Sequence, residues 1–183
     1  KIVQFEGATC KLHKMNYTES MKDLHRTTQM TPELIKRDIS ITLDQCINSF
    51  PVTVLTGPRQ SGKTTLLRSK YPDYQYISLE SPDNLLRVKQ DPHGLLDHIQ
   101  GKGLIIDEAQ QYPELFSYIQ TKVDEPDFHL PIVISGSQNF LLLDTVSQSL
   151  AGRAAILELL PLSLNEIAAS SSTHIKLNDF LYH

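Results

Sequence analysis

The chain has 183 residues, 40% of them hydrophobic and 21% charged, with a formal net charge of −4 and two cysteines. That length and apolar content suffice for one domain with a real core, and the slight acidity gives no electrostatic reason to expect tight binding to duplex nucleic acid. Cys10 and Cys46 are too few and too isolated for a disulfide framework or a Cys-rich zinc site. No apolar run approaches the roughly 20 residues of a membrane span, so a reducing cytoplasm is the expected setting.

Residues 1–30 mix polar and charged side chains with Met15, Met21 and Met30 and show little periodicity. With Lys1 in place of an initiating methionine, they read as a loosely ordered arm or a foreign leader. Structure is expected from Thr31, which can cap a helix with Pro32 at its first position. Ile35, Ile39, Leu43, Cys46, Ile47 and Phe50 then recur on one helical face, which places Cys46 in the core.

Pro51 to Thr56 is a β-branched apolar run, hence a strand. Gly57-Pro58-Arg59-Gln60-Ser61-Gly62-Lys63-Thr64 follows and fits the phosphate-binding loop G-x-x-x-x-G-K-[ST] at every required position. Glycines are needed where the backbone curls so that successive N–H groups face an anion; Lys63 adds positive charge for the β- and γ-phosphates, and the Thr64 hydroxyl suits Mg²⁺. Thr64 and Thr65 open a helix that stops before Tyr71-Pro72.

Tyr74 to Leu79 reads as a second strand. Ser81-Pro82 and Asp91-Pro92 open two helices, the second ending near Gly101-Lys102-Gly103, and Leu104 to Asp107 is a third, buried strand. Pro113 to about Asp124 is helical, Pro131 to Ser135 a fourth strand, about Leu141 to Leu150 a helix, and Ala154 to Leu159 a fifth strand. Ser163 and Glu166 form a capping box for one more helix. Ser170 to Thr173 reads as a link into a short tail, so that 31–169 is the domain and 170–183 the start of a truncated C-terminal region. Alternating strands and helices with continuously apolar strands mean a parallel sheet covered on both faces, a three-layer α/β P-loop fold.

Two further strand ends carry chemistry. Asp107 and Glu108 emerge at the carboxyl end of a buried parallel strand, where open α/β sheets bind ligands. Asp107 is expected to hold Mg²⁺ through water, and Glu108 to accept a proton from an attacking water. After the fourth strand, a neutral amide of either Gln138 or Asn139 can sense the γ-phosphate, the alternative being a Gly-Ser turn capping the next helix. Arg59 either leans over the nucleotide or pairs locally. Tyr71, Tyr74 and Tyr76 either stack on adenine or, the favoured reading, pack on a strand face. The seven histidines show no metal-ligand spacing, leaving Mg²⁺ as the one metal expected.

These motifs together resemble the AAA-like ATPases of the additional-strand P-loop division, in particular a prokaryotic family written around Gly-Pro-Arg-Gln-x-Gly-Lys-Thr-Thr. The likeness runs from about Thr31 to Glu166 and includes Leu104 to Gln110, Ile134 to Asn139, Ser149 to Ala154 and Leu157 to Ser163. It implies sheet order 5-1-4-3-2, Mg²⁺-dependent ATP hydrolysis, and a C-terminal effector domain that this chain lacks. Ser61 departs from the valine common at that position. The likeness also implies that Arg153 reaches the γ-phosphate of a neighbouring subunit in a homo-oligomer; the alternative is that it pins its helix end to a carboxylate such as Glu158.

Other readings compete on residues. A GTPase would show Asn-Lys-x-Asp, which does not occur. Asp107-Glu108-Ala109-Gln110 is similar to the second motif of a helicase, a DNA-stimulated motor, but a helicase pairs two such domains and there are residues here for one. A slow, nucleotide-controlled binding switch is the alternative of a different class.

Overall fold

In the computed structural model the described residues are 34–137, 146 and 148–170. Their order is α1 (Ser40–Ser49), β1 (Val52–Thr56), α2 (Lys63–Lys70), β2 (Gln75–Ser78), α3 (Pro82–Gln90), α4 (Pro92–Asp97), β3 (Leu104–Asp107), a 3₁₀ turn (Ala109–Gln111), α5 (Leu115–Val123), β4 (Ile132–Ser135), β5 (Ala154–Glu158) and α6 (Leu164–Ser170). The strands form one five-stranded sheet in the order β2-β3-β4-β1-β5, and every adjacent pair is parallel. Read from the other edge this is 5-1-4-3-2, the order the resemblance implies.

Strand periodicity builds the three layers. Val52, Val54, Leu104, Ile106, Ile132 and Ile134 face one way, onto Val88, Leu96, Phe116 and Ile119 of α3, α4 and α5. Leu55, Ile105 and Val133, one residue out of phase, face the other way onto Leu43 and Ile47 of α1 and Leu66 and Leu67 of α2. Each side chain so buried is worth roughly 1.5–3 kcal/mol relative to exposure. Val146 and Leu150 join the first of these clusters, and Val146, Gln148 and Ser149 are helical. They lie at the end of the helix expected from Leu141; Leu141 to Thr145 fall outside the described residues.

The turn chemistry follows the sequence closely. Pro82 and Pro92 each begin a helix, and the Asp91 carboxylate accepts the Gly94 N–H at 2.8 Å. The capping box of α6 forms in both directions, Ser163 N donating to Glu166 Oε2 at 2.8 Å and Glu166 N to Ser163 Oγ at 3.1 Å.

Two expectations are corrected. α1 begins at Ser40 rather than Thr31: Leu34 to Arg37 have no regular structure, and Asp38 and Ile39 form a turn. The Arg37 guanidinium is turned inward to carbonyls and to Glu166, and the Asp38 backbone amide donates to the Glu166 carboxylate rather than to a helical carbonyl. Cys46 is half-buried, not core, because only Leu43 and Ile47 of α1 are fully turned onto the sheet. Thr31 itself and residues 1–30 lie outside the described residues, as does the tail from 171.

Candidate phosphate-binding site

β1 delivers the chain to the carboxyl edge of the sheet, and Gly57 turns it there with φ of 144°. A Cβ on Gly57 would stand 2.2 Å from the Leu159 carbonyl, so the loop passes too close to the segment after β5 for any side chain. Gln60 (φ 61°) and Gly62 (φ 92°) supply the left-handed residues of the curl, and Gly62 caps α2. The curl directs backbone N–H groups and the positive end of α2 at one volume, the arrangement that binds phosphate.

That volume is a cavity of about 410 Å³ lined by Arg59, Gln60, Gly62, Lys63, Thr64 and Thr65, with Glu80 and Glu108 on its acidic wall. Lys63 folds over its own loop, donating to Gly57 O at 2.9 Å and Pro58 O at 2.8 Å. Burial pushes its ammonium pKa down, against the pull of the Glu108 and Asp107 charges. Incoming phosphate charge would favour the ammonium form. Pro58 and Ser61 belong to the curl itself; the Ser61 side chain is buried and its hydroxyl has no hydrogen-bond partner among the described residues.

Asp107, 3% exposed at the end of β3, is the hub of the site. Its Oδ2 accepts from Thr64 Oγ1 and from Tyr76 OH, each at 2.7 Å. Its Oδ1 accepts from Ser135 Oγ at 2.5 Å and from the Glu108 amide at 3.1 Å. Four donors hold the carboxylate in one orientation: Thr64 from the first turn of α2, Tyr76 from within β2, Ser135 from the end of β4 and Glu108 from the turn after β3. Burial and the bond to Asp107 push the Tyr76 phenol up to about 12. Thr64 and Asp107 thus present a hydroxyl and a carboxylate side by side, a hard-oxygen pair of the kind Mg²⁺ takes when substrate phosphates and waters complete its shell. The residues present therefore fit Mg²⁺. No group of three or more His, Cys, Asp or Glu suited to a metal occurs among the described residues.

Glu108 adopts a left-handed backbone (φ 55°), which turns its side chain from the strand end toward the cavity. Gln110 Nε2 donates to Glu108 Oε2 and also to Ser137 Oγ at 3.3 Å, linking the β3 turn to the β4 turn. Gln138 and Asn139 lie outside the described residues.

Tyr71, Tyr74 and Tyr76 do not line the cavity. Tyr71 donates to Asp44 Oδ1 at 2.8 Å and packs on Tyr74 with ring centroids 5.1 Å apart, while Tyr76 serves Asp107. Arg153 precedes β5 at the opposite edge of the sheet: Ala154 pairs with Val52, and Thr56, next to the loop, pairs with Glu158. At about 3.3 Å per residue, the five steps from Arg153 to Glu158 separate it from its own phosphate loop by roughly 16 Å along the strand. Its guanidinium grips Asp124, with Nε to Oδ1 at 2.6 Å and Nη2 to Oδ2 at 2.8 Å, so the carboxylate it holds is Asp124 rather than Glu158.

Sequence reasoning missed Ser135, Glu80 and Gln110 as site residues and gave Tyr76 no role toward Asp107. The rule that ligands gather at carboxyl ends of parallel strands could have found Ser135 and Glu80. Tyr76 and Gln110 depend on side-chain direction, which spacing does not carry.

Comparison with known proteins gives the family and the fold. The family model described as an AAA domain matches residues 49–168. The uncharacterized proteins Mb2031c of Mycobacterium bovis and Rv2008c of Mycobacterium tuberculosis are each 35% identical over 142 residues, which cover 76% of this chain and 32% of theirs. The chain therefore spans about a third of the length of the curated relatives it matches. Among solved structures, a Walker-type ATPase of Pyrococcus abyssi superposes with a TM-score of 0.54 at 19% identity, covering 74% of this chain and 56% of that one, a likeness of fold.

Proposed function

The chain belongs to the AAA-domain family of P-loop ATPases, and on that premise we propose that it binds ATP with Mg²⁺ and hydrolyses it at the cleft between α2 and β3. One observation carries the reading: the Thr64 hydroxyl and the Asp107 carboxylate meet at 2.7 Å beside a cavity lined by Lys63 and Glu108, so phosphate, metal and base functions converge. Gly57 to Thr65 cradle the phosphates, with Arg59 on the cavity wall. Thr64 and Asp107 hold Mg²⁺, which when bound neutralises charge on the β- and γ-phosphates. Glu108 takes a proton from water as the water oxygen bonds to the γ-phosphorus and the bond to the β–γ bridging oxygen breaks, leaving ADP and phosphate. Either Gln138 or Asn139 reads the γ-phosphate, and Arg153 acts on a neighbouring subunit, since its own loop is at the other edge of the sheet.

A nucleotide-controlled switch with slow turnover is the second reading, and the hydrogen bond from Gln110 to Glu108 favours it, because a base so held is drawn away from water. The client of either activity is a C-terminal effector domain, and the setting is the cytoplasm; among the described residues no helix is long and apolar enough to cross a membrane. Steady-state phosphate release by the parent and by Glu108→Gln tests the proposal. Loss of turnover with ATP still bound supports hydrolysis at this site, whereas parental turnover in Glu108→Gln removes Glu108 from the mechanism.

A further inference from the structure

Arg37 lies only 8% exposed, and its guanidinium reaches acceptors on three separate stretches of chain. Nη1 donates to Ser61 O at 2.8 Å, Nη2 to Leu160 O at 2.5 Å, and Nε to Glu166 Oε1 at 3.0 Å. Ser61 belongs to the phosphate loop, Leu160 follows β5, and Glu166 lies in the first turn of α6. Glu166 is itself fully engaged: Oε1 also accepts the Asp38 amide at 2.9 Å, and Oε2 the Ser163 amide at 2.8 Å.

The bond to Ser61 bears on the anion site through the peptide plane. In a trans peptide the carbonyl and the next N–H point in opposite directions. Holding the Ser61 carbonyl against Arg37 therefore turns the Gly62 N–H away from Arg37, and Gly62 lines the cavity. A cation on that carbonyl also polarises the peptide, making its N–H a stronger donor. Arg37 stands directly behind the loop, for a Cβ on Gly62 would find Nη1 at 3.4 Å. A buried arginine–glutamate pair persists where its geometry satisfies both groups, and a planar fork meets three acceptors where an ammonium cannot. Burial alone would raise the Glu166 pKa, but the amides of Ser163 and Asp38 and the Arg37 guanidinium outweigh it and bring the carboxyl down to about 2.

We infer that Arg37 is a positioning residue for the phosphate loop, holding it in its anion-binding shape through Ser61 and tying that shape to the seat of α6 through Glu166 and Leu160. The inference rests on the reading that this loop binds ATP. By linkage, nucleotide that favours the held loop also favours the docked α6, and displacement of α6 weakens nucleotide binding to the same degree.

The test measures ATP·Mg²⁺ affinity by calorimetry, and amide hydrogen exchange at Asp38 and Ser163, in the full chain and in Arg37→Gln. The expected result is affinity weakened about tenfold, the worth of one charge-assisted hydrogen bond that preorganises the loop. ATP should also slow exchange at the Asp38 and Ser163 amides in the parent and leave it unchanged in Arg37→Gln. Thermal unfolding establishes that the variant is folded; should Arg37→Gln not fold, Arg37→Gln with Glu166→Gln removes the stranded charge and carries the same measurement. Parental ATP affinity in a folded variant overturns the inference, as does parental ATP-induced protection at the two amides. Lys63→Ala separates the two layers: if it binds ATP like the parent, the site reading fails, and if it alone loses binding while the Arg37 variant keeps it, only the role of Arg37 fails.

Discussion

The Tyr76 hydroxyl donates to the Asp107 carboxylate at 2.7 Å, so the edge strand β2 aims the carboxylate that β3 presents to the phosphate site. Tyr76→Phe deletes one of four donors without changing the ring. It should cost about 1 kcal/mol of stability and weaken Mg²⁺-dependent ATP binding, since Asp107 then has one fewer constraint on its orientation. Calorimetric titration of ATP with and without Mg²⁺ checks this, and the loss should appear only in the Mg²⁺ series. Because the folded phenol titrates near 12, above its ordinary value of 10.0, its contribution is complete below pH about 10 and fades as pH rises through about 12.

Removing the base function should separate binding from chemistry. Glu108→Gln keeps shape and hydrogen-bonding reach but has no proton acceptor of comparable strength, so turnover should fall by about 10² to 10⁴ while ATP affinity stays near parental. Single-turnover hydrolysis beside equilibrium binding reads both quantities.

Acid should loosen the strut between the phosphate loop and α6. The Glu166 carboxyl is held down to about 2, so the stabilisation it provides is complete above the ordinary carboxyl range, about 4.5, and drains away as pH falls toward 2. Thermal unfolding followed from pH 6 to pH 2 should show a steeper loss in the parent than in Glu166→Gln, whose neutral amide has nothing to protonate.

Two buried hydroxyls stand without partners among the described residues, Thr53 Oγ1 in the interior strand β1 and Ser61 Oγ in the phosphate loop. Replacing each by a valine removes a desolvated polar atom and adds apolar contact. Thr53→Val and Ser61→Val should each raise stability by about 1 kcal/mol, read as an increase in Tm, with ATP binding retained.

Much of this site was legible because its residues are close in sequence and each local pattern has one physical meaning. The loop octet demanded glycines where the structure has φ of 144° and 92°, and Leu104 to Asp107 was an apolar run ending in acid that proved to be a buried strand with the same bounds. What escaped was long-range. Arg37 and Glu166 are 129 residues apart, and nothing in the periodicity of residues 31–50 distinguishes an arginine on a helix face from one that leaves the helix to bind the loop. Glu166 was read correctly as half of a capping box, yet the box occupies only part of its hydrogen-bonding capacity. Arg153 stands just before β5, and its hold on Asp124 joins the end of α5 to the start of β5 and follows from sheet order rather than from local sequence.

Under the proposed function Arg153 acts on the site of a neighbouring subunit. Its pair with Asp124 is exposed, and exposed pairs contribute little, so the contact is readily given up to a better anion. Arg153→Ala should lower turnover far more than ATP affinity, and mixing it with Glu108→Gln should restore part of the activity by bringing an intact base and an intact arginine to one interface. Confirmed mixed assembly without any recovery would show that the arginine does not act across subunits.

The most direct measurement is calorimetric titration of ATP·Mg²⁺ into the parent chain and into Lys63→Ala. Convergence of the loop, Lys63, Thr64 and Glu108 on one cavity predicts a single saturable site in the parent and no detectable binding in Lys63→Ala. Equal binding by both chains would contradict it, because the phosphates would then be held somewhere other than the Gly57 to Thr64 loop.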